Sequence, residues 1–298
     1  MTQIIIAALN ALTLISVLAL VALGLAVIFG LMDVINLAHG ELVTVGAYSV
    51  SLTQMFGGEH YAAAFWIGLC LAPVVGAAIG FAVETLIIRR LYLRPLDTLL
   101  ATFGLSLVLQ KAIELGFGAR PQIVHTPING VWLICGADYP AYRLFIIGMA
   151  AVLVGLSTVV FSRTQIGLDL RAMLQNRTMA EALGIDTKRI GRLAFCAGSA
   201  LAAIAGALVA PLASVEAHLG TFYLGKAFFV VIVGGIGSII GTIAGSTLIG
   251  SLETFLSYKI DPSAASALSL AFAIVLIRMR PQGLIPGFSA AHELSGRR

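Results

Sequence analysis

The chain has 298 residues, of which 59% are hydrophobic and only 11% are charged. A soluble domain carries about 25% charged residues, so this composition excludes a soluble enzyme, a disordered chain and a small disulfide-bonded scaffold, and it predicts a polytopic membrane protein. The 18 basic and 14 acidic residues leave a net charge of +4, which in a membrane chain indicates basic cytoplasmic loops and not nucleic-acid binding.

The apolar runs predict an all-α fold, a polytopic transmembrane helical bundle in a single domain over residues 1–298. The first run, Ile4 to Gly30, has no charge and no basic residue before it, so we interpret it as a retained membrane helix and not as a cleaved signal peptide. About eight helices are predicted, and up to ten if short runs are counted as broken helices. The further runs are Leu42–Met55, Ala62–Ile88, Thr98–Leu115, Leu144–Phe161, Leu193–Leu212, Ala227–Ile240, Ile243–Phe255 and Ser263–Ile277.

Basic residues predict the orientation of the helices, because cytoplasmic loops are enriched in lysine and arginine. The arginines and lysines concentrate in three segments, 89–94, 163–192 and 278–298, which we expect to face the cytoplasm. The stretch 116–142 is rich in proline, glycine, tryptophan and tyrosine and is expected to face outward.

A polar segment follows the first apolar run. Asp33, Asn36, His39 and Glu41, with Gly40 among them, fall within nine residues between two apolar runs. Two explanations remain open: a solvated cytoplasmic turn, or an interrupted helix that lines a pathway through the membrane. A metal site is disfavoured, because one histidine with scattered carboxylates lacks ligand spacing.

The second polar segment, 163–192, predicts one short amphipathic helix that ends at Gly184, since apolar residues recur there at roughly helical spacing. Such a helix docks in a partner's groove, lies on the membrane, or packs on its own bundle. Its apolar face has no evident partner within the loop itself.

The third segment, 225–250, is punctuated by glycine. The pair Gly234–Gly235, followed by Gly237 and Ser238, predicts a broken helix. Gly241 and Gly245 extend a GxxxG spacing from Gly237 and predict close helix packing. By analogy with transporters that have paired broken helices, this segment and the one around Asn36 are expected to flank a pathway. Other charges within the apolar runs are interpreted as snorkelling to the interface; they are Glu84, Lys111, Glu114, Lys226 and Glu253.

Several short motifs stand in one order along the chain: Asn36-Leu-Ala-His-Gly40 with Gly46-Ala-Tyr48, Met179-Ala-Glu-Ala-Leu-Gly-Ile185, Gly225-Lys-Ala-Phe228, Gly234-Gly-Ile-Gly-Ser238 and Arg280-Pro-Gln-Gly283. By these motifs the chain resembles the permease subunits of bacterial branched-chain amino-acid ABC importers, the LivH type, over nearly its whole length. Urea and short-amide permeases are close relatives of that family, and Arg171–Arg177 resembles their branch, whereas Gly234–Ser238 favours the amino-acid branch.

The resemblance implies a multi-pass protein of the bacterial inner membrane, with its C-terminus in the cytoplasm, that is a transport subunit and not an enzyme. Its implied partners are a second homologous permease subunit, two cytoplasmic ATPase subunits that hydrolyse ATP, and a periplasmic substrate-binding protein. No cofactor is expected on this chain itself. Within a coupling loop, 162–192, the residues implied to contact the ATPase are Met179, Ala180, Glu181, Ala182, Leu183 and Gly184. The alternative is a self-sufficient channel or an ion-coupled carrier that uses Asp33, His39 and Glu41.

Overall fold

The computed structural model describes residues 2–32, 36–91, 94–134 and 136–285. These residues form eleven α-helices, one two-stranded antiparallel hairpin and two short 3₁₀ turns. The helices are α1 (Thr2–Met32), α2 (His39–Gly57), α3 (Tyr61–Leu86), α4 (Pro95–Phe117), α5 (Ala141–Arg163), α6 (Gln165–Gln175), α7 (Arg177–Ala182), α8 (Thr187–Val209), α9 (Leu219–Gly234), α10 (Ile239–Ser257) and α11 (Pro262–Met279), and the strands are β1 (Val131–Ile134) and β2 (Ala137–Pro140).

Seven of the described helices are long and apolar enough to cross a membrane: α1, α3, α4, α5, α8, α10 and α11. Helix α9 is apolar but has only 16 residues. Helix α2 has 19 residues and buries polar side chains among its apolar ones. The predicted polytopic helical membrane fold is confirmed. Of the described helices, seven qualify as membrane spans by length and hydropathy, where the sequence predicted about eight, and α2 and α9 are not among the seven.

The centre of the bundle is formed by α1, α2, α3 and α8. From Val17 to Ile28 nearly every side chain of α1 is buried, which is typical of a helix that is apolar on all its faces and surrounded by others. By contrast, α4, α5 and α11 expose large apolar side chains over most of their surface. That surface suits lipid or a partner membrane subunit.

Helix α8 contacts α1, α2 and α3 at once. Its approach to α2 is so close that a methyl group on Gly46 would overlap the carbonyl oxygen of Ala203 in α8. In the same way, a methyl group on Gly206 of α8 would overlap the carbonyl oxygen of Val43. Backbone therefore packs directly on backbone, as small residues allow between membrane helices.

The described parts of the three basic segments lie at one end of the bundle, which we call the basic end. Arg192, near the start of α8, pairs with Glu84 near the end of α3. Gly30, near the end of α1, lies beside Leu174 of α6 and Gly237, and the backbone after α11 bonds to the end of α9 through Leu284 N–H and the Val233 carbonyl (2.7 Å).

The described residues of the stretch 116–142 lie at the opposite end. The Tyr139 hydroxyl of β2 and the Thr13 hydroxyl of α1 are 2.9 Å apart. Gln54, near the end of α2, donates to the His125 carbonyl oxygen (2.9 Å) and accepts from the His125 N–H (2.9 Å). The segments that the sequence assigns to opposite sides of the membrane are thus at opposite ends of the bundle.

Candidate functional site

Helix α2 begins deep inside the bundle. The ring of His39, its first residue, has Nε2 3.2 Å from the Val21 carbonyl oxygen of α1, and Val21 lies about 16 Å before the end of α1 at a rise of 1.5 Å per residue. Asn36, His39 and Glu41 are all buried. Of the two alternatives left by the sequence, this burial disagrees with a solvated turn. Asp33 lies outside the described residues.

Three consecutive residues of α2 face three different helices, because successive residues of a helix are rotated by about 100°. His39 faces α1 through its bond to Val21. Gly40 faces α9, where a methyl group on Gly220 would overlap the Gly40 carbonyl oxygen. Glu41 faces α4. The structure therefore gives His39 and Glu41 partners on separate helices and does not join them in one ion site.

Glu41 is the centre of a hydrogen-bonded cluster between α2, α4 and α9. Its Oε1 accepts from the Ser106 hydroxyl (2.9 Å) and from Gln110 Nε2 (2.7 Å). Gln110 Nε2 also donates to the Thr221 hydroxyl of α9 (3.1 Å). On the next turn of α2, the Thr44 hydroxyl accepts from the Gly220 N–H (2.9 Å). Since Ser106 is the middle residue of α4, the Glu41 cluster lies at mid-depth in the bundle.

Helix α4 has a polar face that the hydropathy of Thr98–Leu115, an apolar run, does not predict. Its buried polar residues are spaced four apart and therefore share one helix face; they are Thr98, Thr102, Ser106 and Gln110. Thr102 accepts from the Leu37 N–H (3.3 Å) just before α2. The four-residue spacing of these polar residues is a signal that the sequence does contain. Polar residues that repeat along one face of an apolar membrane helix indicate that this face packs against protein and not against lipid.

Several buried polar atoms of this region have no hydrogen-bond partner among the described residues. They are Asn36 Nδ2, His39 Nδ1 and Glu41 Oε2. Leaving a buried polar group without a partner is unfavourable, and such groups are uncommon in folded proteins. Within a membrane bundle, buried ionisable groups of this kind mark a candidate functional site.

The glycine-rich segment forms a tight reversal between α9 and α10. Helix α9 ends at Gly234, and Gly235 and Gly237 adopt positive φ values of 112° and 74°. Ser238 then caps α10 by accepting from the Gly241 N–H (3.0 Å). These residues lie at the basic end and not beside Glu41, so the structure does not join the two glycine-punctuated segments in one site.

Gly241 and Gly245 lie where α10 packs on α9. A methyl group on Gly241 would overlap the Gly234 carbonyl oxygen, and one on Gly245 would overlap the Val230 carbonyl oxygen. The two glycines thus face a helix of the same chain.

Three charged residues correct the snorkelling interpretation. Lys226 of α9 and Glu253 of α10 form a buried ion pair (Nζ–Oε1 2.6 Å). Glu84 of α3 is fully buried and pairs with Arg192 (3.3 Å). These groups lie inside the protein because each finds an opposite charge on a neighbouring helix. Snorkelling does fit Lys111, whose exposed ammonium group pairs with Glu114 (2.5 Å).

The segment 163–192 contains two short helices, α6 and α7, where the sequence predicted one. They meet at Asn176, whose side chain caps α7 by accepting from the Met179 N–H (2.9 Å). The apolar face of α6 also has a partner that the loop sequence did not reveal, because it packs on the first turns of α8. This small core contains Leu170, Met173, Leu174, Ala180, Ile190 and Ala194.

Helix α7 presents most of the predicted coupling residues to solvent at the basic end. Ala180 is buried in the small core, whereas the side chains of Met179 and Leu183 are 58% and 74% exposed. Glu181, Ala182 and Gly184 are exposed as well.

The turn after α7 fastens it to α8. Gly184 has a positive φ of 86°, and the Ile185 N–H donates to the Ala180 carbonyl (3.0 Å), a glycine-ended helix cap. Glu181 Oε1 accepts from the Thr187 hydroxyl of α8 (2.6 Å) and from Arg177 Nε (3.4 Å). These two contacts lower the pKa of Glu181, the Thr187 hydrogen bond most.

Comparison with known proteins gives a consistent family. Residues 7–279 match the family described as "Branched-chain amino acid transport system / permease component". The chain is 30% identical over 290 residues to the high-affinity branched-chain amino acid transport system permease protein LivH of Escherichia coli (strain K12), with 93% of each chain covered. It is 28% identical over 294 residues to the corresponding permease protein BraD of Pseudomonas aeruginosa, covering 93% of this chain and 94% of BraD.

A further relative is the permease protein LivM of Escherichia coli (strain K12), from a high-affinity branched-chain amino acid transport system; it is 28% identical over 304 residues, with 92% of this chain and 69% of LivM covered. The match to the family covers nearly all of the bundle described above, from α1 to the end of α11. This chain therefore belongs to the family of permease components of branched-chain amino acid transport systems.

Proposed function

We propose that the chain is the membrane-spanning permease of an ATP-driven importer that carries branched-chain amino acids delivered by a periplasmic binding protein. The observation that carries this proposal is the family match over residues 7–279. The buried polar Glu41 cluster at mid-depth supports it, because transporters bind their cargo near the middle of the membrane. Transport needs no covalent chemistry from this chain, and its energy comes from ATP hydrolysed by two cytoplasmic ATPase subunits.

A second, homologous permease subunit completes the membrane part. The similarity of this chain to both LivH and LivM, whose names place each in a high-affinity branched-chain amino acid transport system, supports pairing between related subunits. The exposed apolar faces of α4, α5 and α11 offer surface for such a partner as well as for lipid.

The basic end faces the cytoplasm of a bacterial inner membrane, with the C-terminus on that side, because positive residues are retained there. At this end, Met179–Gly184 contact the ATPase. The exposed apolar side chains of Met179 and Leu183 support this contact, since a short helix docks through such residues in a partner's groove.

Helix α8 transmits the movement of the coupling segment into the bundle. It begins directly after the turn that holds α7, and it packs on α1, α2 and α3. A displacement of α7 by the ATPase therefore acts on the helix that carries Glu41. Asn36–Glu41 line the pathway, and the reversal at Gly234–Ser238 permits α9 and α10 to move at the basic end. Two conformations that differ in these contacts give alternating access.

The test is transport by the intact complex. The complex is purified from native membranes through a tag on this chain and reconstituted in proteoliposomes with its binding protein. We expect leucine uptake that requires both ATP and the binding protein. Uptake that proceeds without ATP or the ATPase subunits would contradict the proposal and favour a self-sufficient channel or carrier, and transport of urea without leucine transport would reassign the substrate.

A further inference from the structure

We propose that Glu41 binds the ammonium group of the transported amino acid as it passes the middle of the membrane. This inference rests on the proposed function and adds a residue and a substrate chemistry to it. It concerns a carboxylate on α2 whose hydrogen bonds are only half completed within the chain.

The two oxygens of the Glu41 carboxyl group have different surroundings. Oε1 accepts two hydrogen bonds, from Ser106 and from Gln110. Oε2 is buried and has no hydrogen-bond partner among the described residues. The contacts to Oε1 fix the orientation of the carboxyl group, so that Oε2 is the atom that remains free to accept a hydrogen bond.

Glu41 also lacks a counter-charge that the other glutamates on the membrane helices have. Glu84 pairs with Arg192, Glu114 pairs with Lys111, and Glu253 pairs with Lys226. In the described parts of the chain no lysine or arginine lies within ion-pair distance of Glu41. The imidazole of His218 acts on Glu41 only from beyond ion-pair distance, and its own partner is Glu114 (3.4 Å). A buried carboxylate without a cation is costly, so its presence indicates a cation that arrives and leaves.

The transported molecule supplies the cation that binds to Glu41 and then leaves. An amino acid carries a primary ammonium group with three N–H donors, and one of them matches the free acceptor at Oε2. Urea and short amides carry no positive charge and gain little from a carboxylate at this depth. The Glu41 site therefore favours amino acids over neutral amides as the substrate class.

Access to Glu41 depends on α4. Among the described helices, α4 approaches the backbone of α2 more than that of any other helix, and most of its surface faces away from the bundle. The contacts that close it over Glu41 are the polar ones of Thr102, Ser106 and Gln110. An outward movement of α4 exchanges these bonds for bonds to the substrate, which makes this structure the closed conformation of the site.

The experiment uses the reconstituted complex with saturating leucine-loaded binding protein. Glu41→Gln keeps an acceptor oxygen for Ser106 and Gln110 but removes the negative charge. We expect leucine uptake to fall about tenfold or more, the effect of losing one charge-assisted hydrogen bond, while assembly with the partner subunits is retained. Glu41→Asp keeps the charge and should transport better than Glu41→Gln. The matched control, Glu114→Gln, removes a more accessible carboxylate from α4 and should transport normally.

Two outcomes would overturn the inference. One is leucine uptake by Glu41→Gln at the wild-type rate. The other is an equal loss of leucine uptake in the assembled Glu41→Gln and Glu41→Asp variants, which would show that the shape of the side chain matters and its charge does not. If neither variant assembles, the wild-type complex decides. Modification of Glu41 by dicyclohexylcarbodiimide, located by mass spectrometry during turnover, should be slowed by leucine, and an unchanged rate of modification contradicts the role. Failure of the wild-type complex to import leucine is a different result, which contradicts the proposed function itself.

Discussion

Lys226 Nζ lies 2.6 Å from Glu253 Oε1, and the two side chains are only 5% and 10% exposed. The ammonium group also lies 4.1 Å from the centre of the Phe222 ring, a favourable arrangement for a cation. The pair joins α9 to α10 far from the turn that connects them, so this hairpin is held at its middle by charge and at its end by glycine packing.

Replacing one member of this ion pair should lower the stability of the protein more than replacing both. Lys226→Met leaves Glu253 buried without a counter-charge, and we expect it to reduce the free energy of unfolding by about 3–5 kcal/mol. The double variant Lys226→Met, Glu253→Leu should recover most of that loss. Thermal unfolding of the purified complex in detergent measures both, and equal losses in the single and double variants would exclude the unpaired Glu253 carboxylate as the cause of the loss.

The contact between α2 and α8 predicts a strong effect of one methyl group. Gly206→Ala places that group on the Val43 carbonyl oxygen, and overpacking of this kind costs about 1–3 kcal/mol. The matched control is Gly104→Ala on α4, where the added carbon meets open space and helix propensity favours alanine by up to about 1 kcal/mol. Melting temperatures should move in opposite directions, and parallel shifts would refute the close approach.

The ion pair between Arg192 and Glu84 predicts a change in coupling. Arg192→Gln leaves the fully buried Glu84 without its cation, and we expect a loss of about 2 kcal/mol, below the value for a wholly buried pair because the Arg192 side chain is 31% exposed. The amount of leucine imported per ATP hydrolysed should fall, since α8 and α3 then move less together. Arg189→Gln, on an exposed side chain of the same helix, is the control; an equal effect there would point to general loss of positive charge.

Acidity should loosen α7 from α8. Contacts to Thr187 and Arg177 lower the pKa of Glu181 in the folded protein, so their stabilisation is present above the unfolded pKa and is lost as the pH falls through the folded one. At neutral pH, Glu181→Gln should therefore speed the exchange of backbone amide hydrogens in the segment after α7, a readout that can be compared between variant and wild type at any one pH. The difference between variant and wild type should vanish well below about pH 4, and a difference that persists there would exclude the carboxylate as its cause.

Local patterns in the sequence predict the helices, but they do not predict which helices pack against one another. Hydropathy predicts the apolar helices, and the glycine pair at Gly234 predicts where α9 ends, because both are properties of short stretches of chain. The depth at which α2 begins depends on the packing of His39 against Val21, 18 residues away. Hydropathy along one segment contains no information about such a contact.

Only the part of the Glu41 cluster that lies on α2 could be predicted from the sequence. Glu41 is conspicuous as a charge beside apolar runs, whereas Ser106 and Gln110 are common polar residues that do not by themselves mark a site. Their significance comes from the hydrogen bonds that α4 makes after it packs on α2. Likewise, the partner of α6 is supplied by Ile190 and Ala194 of α8, which lie outside the short helix that the pattern outlined.

The glycine contacts between α2 and α8 have a mechanical consequence. At Gly46 and Gly206 no side chain separates the two backbones, so no change of rotamer is available there to absorb strain. Packed protein interiors transmit strain, but where side chains lie between two helices a change of rotamer absorbs part of it. The contact between α2 and α8 is therefore rigid, and even a small displacement of α8 moves α2 as a whole.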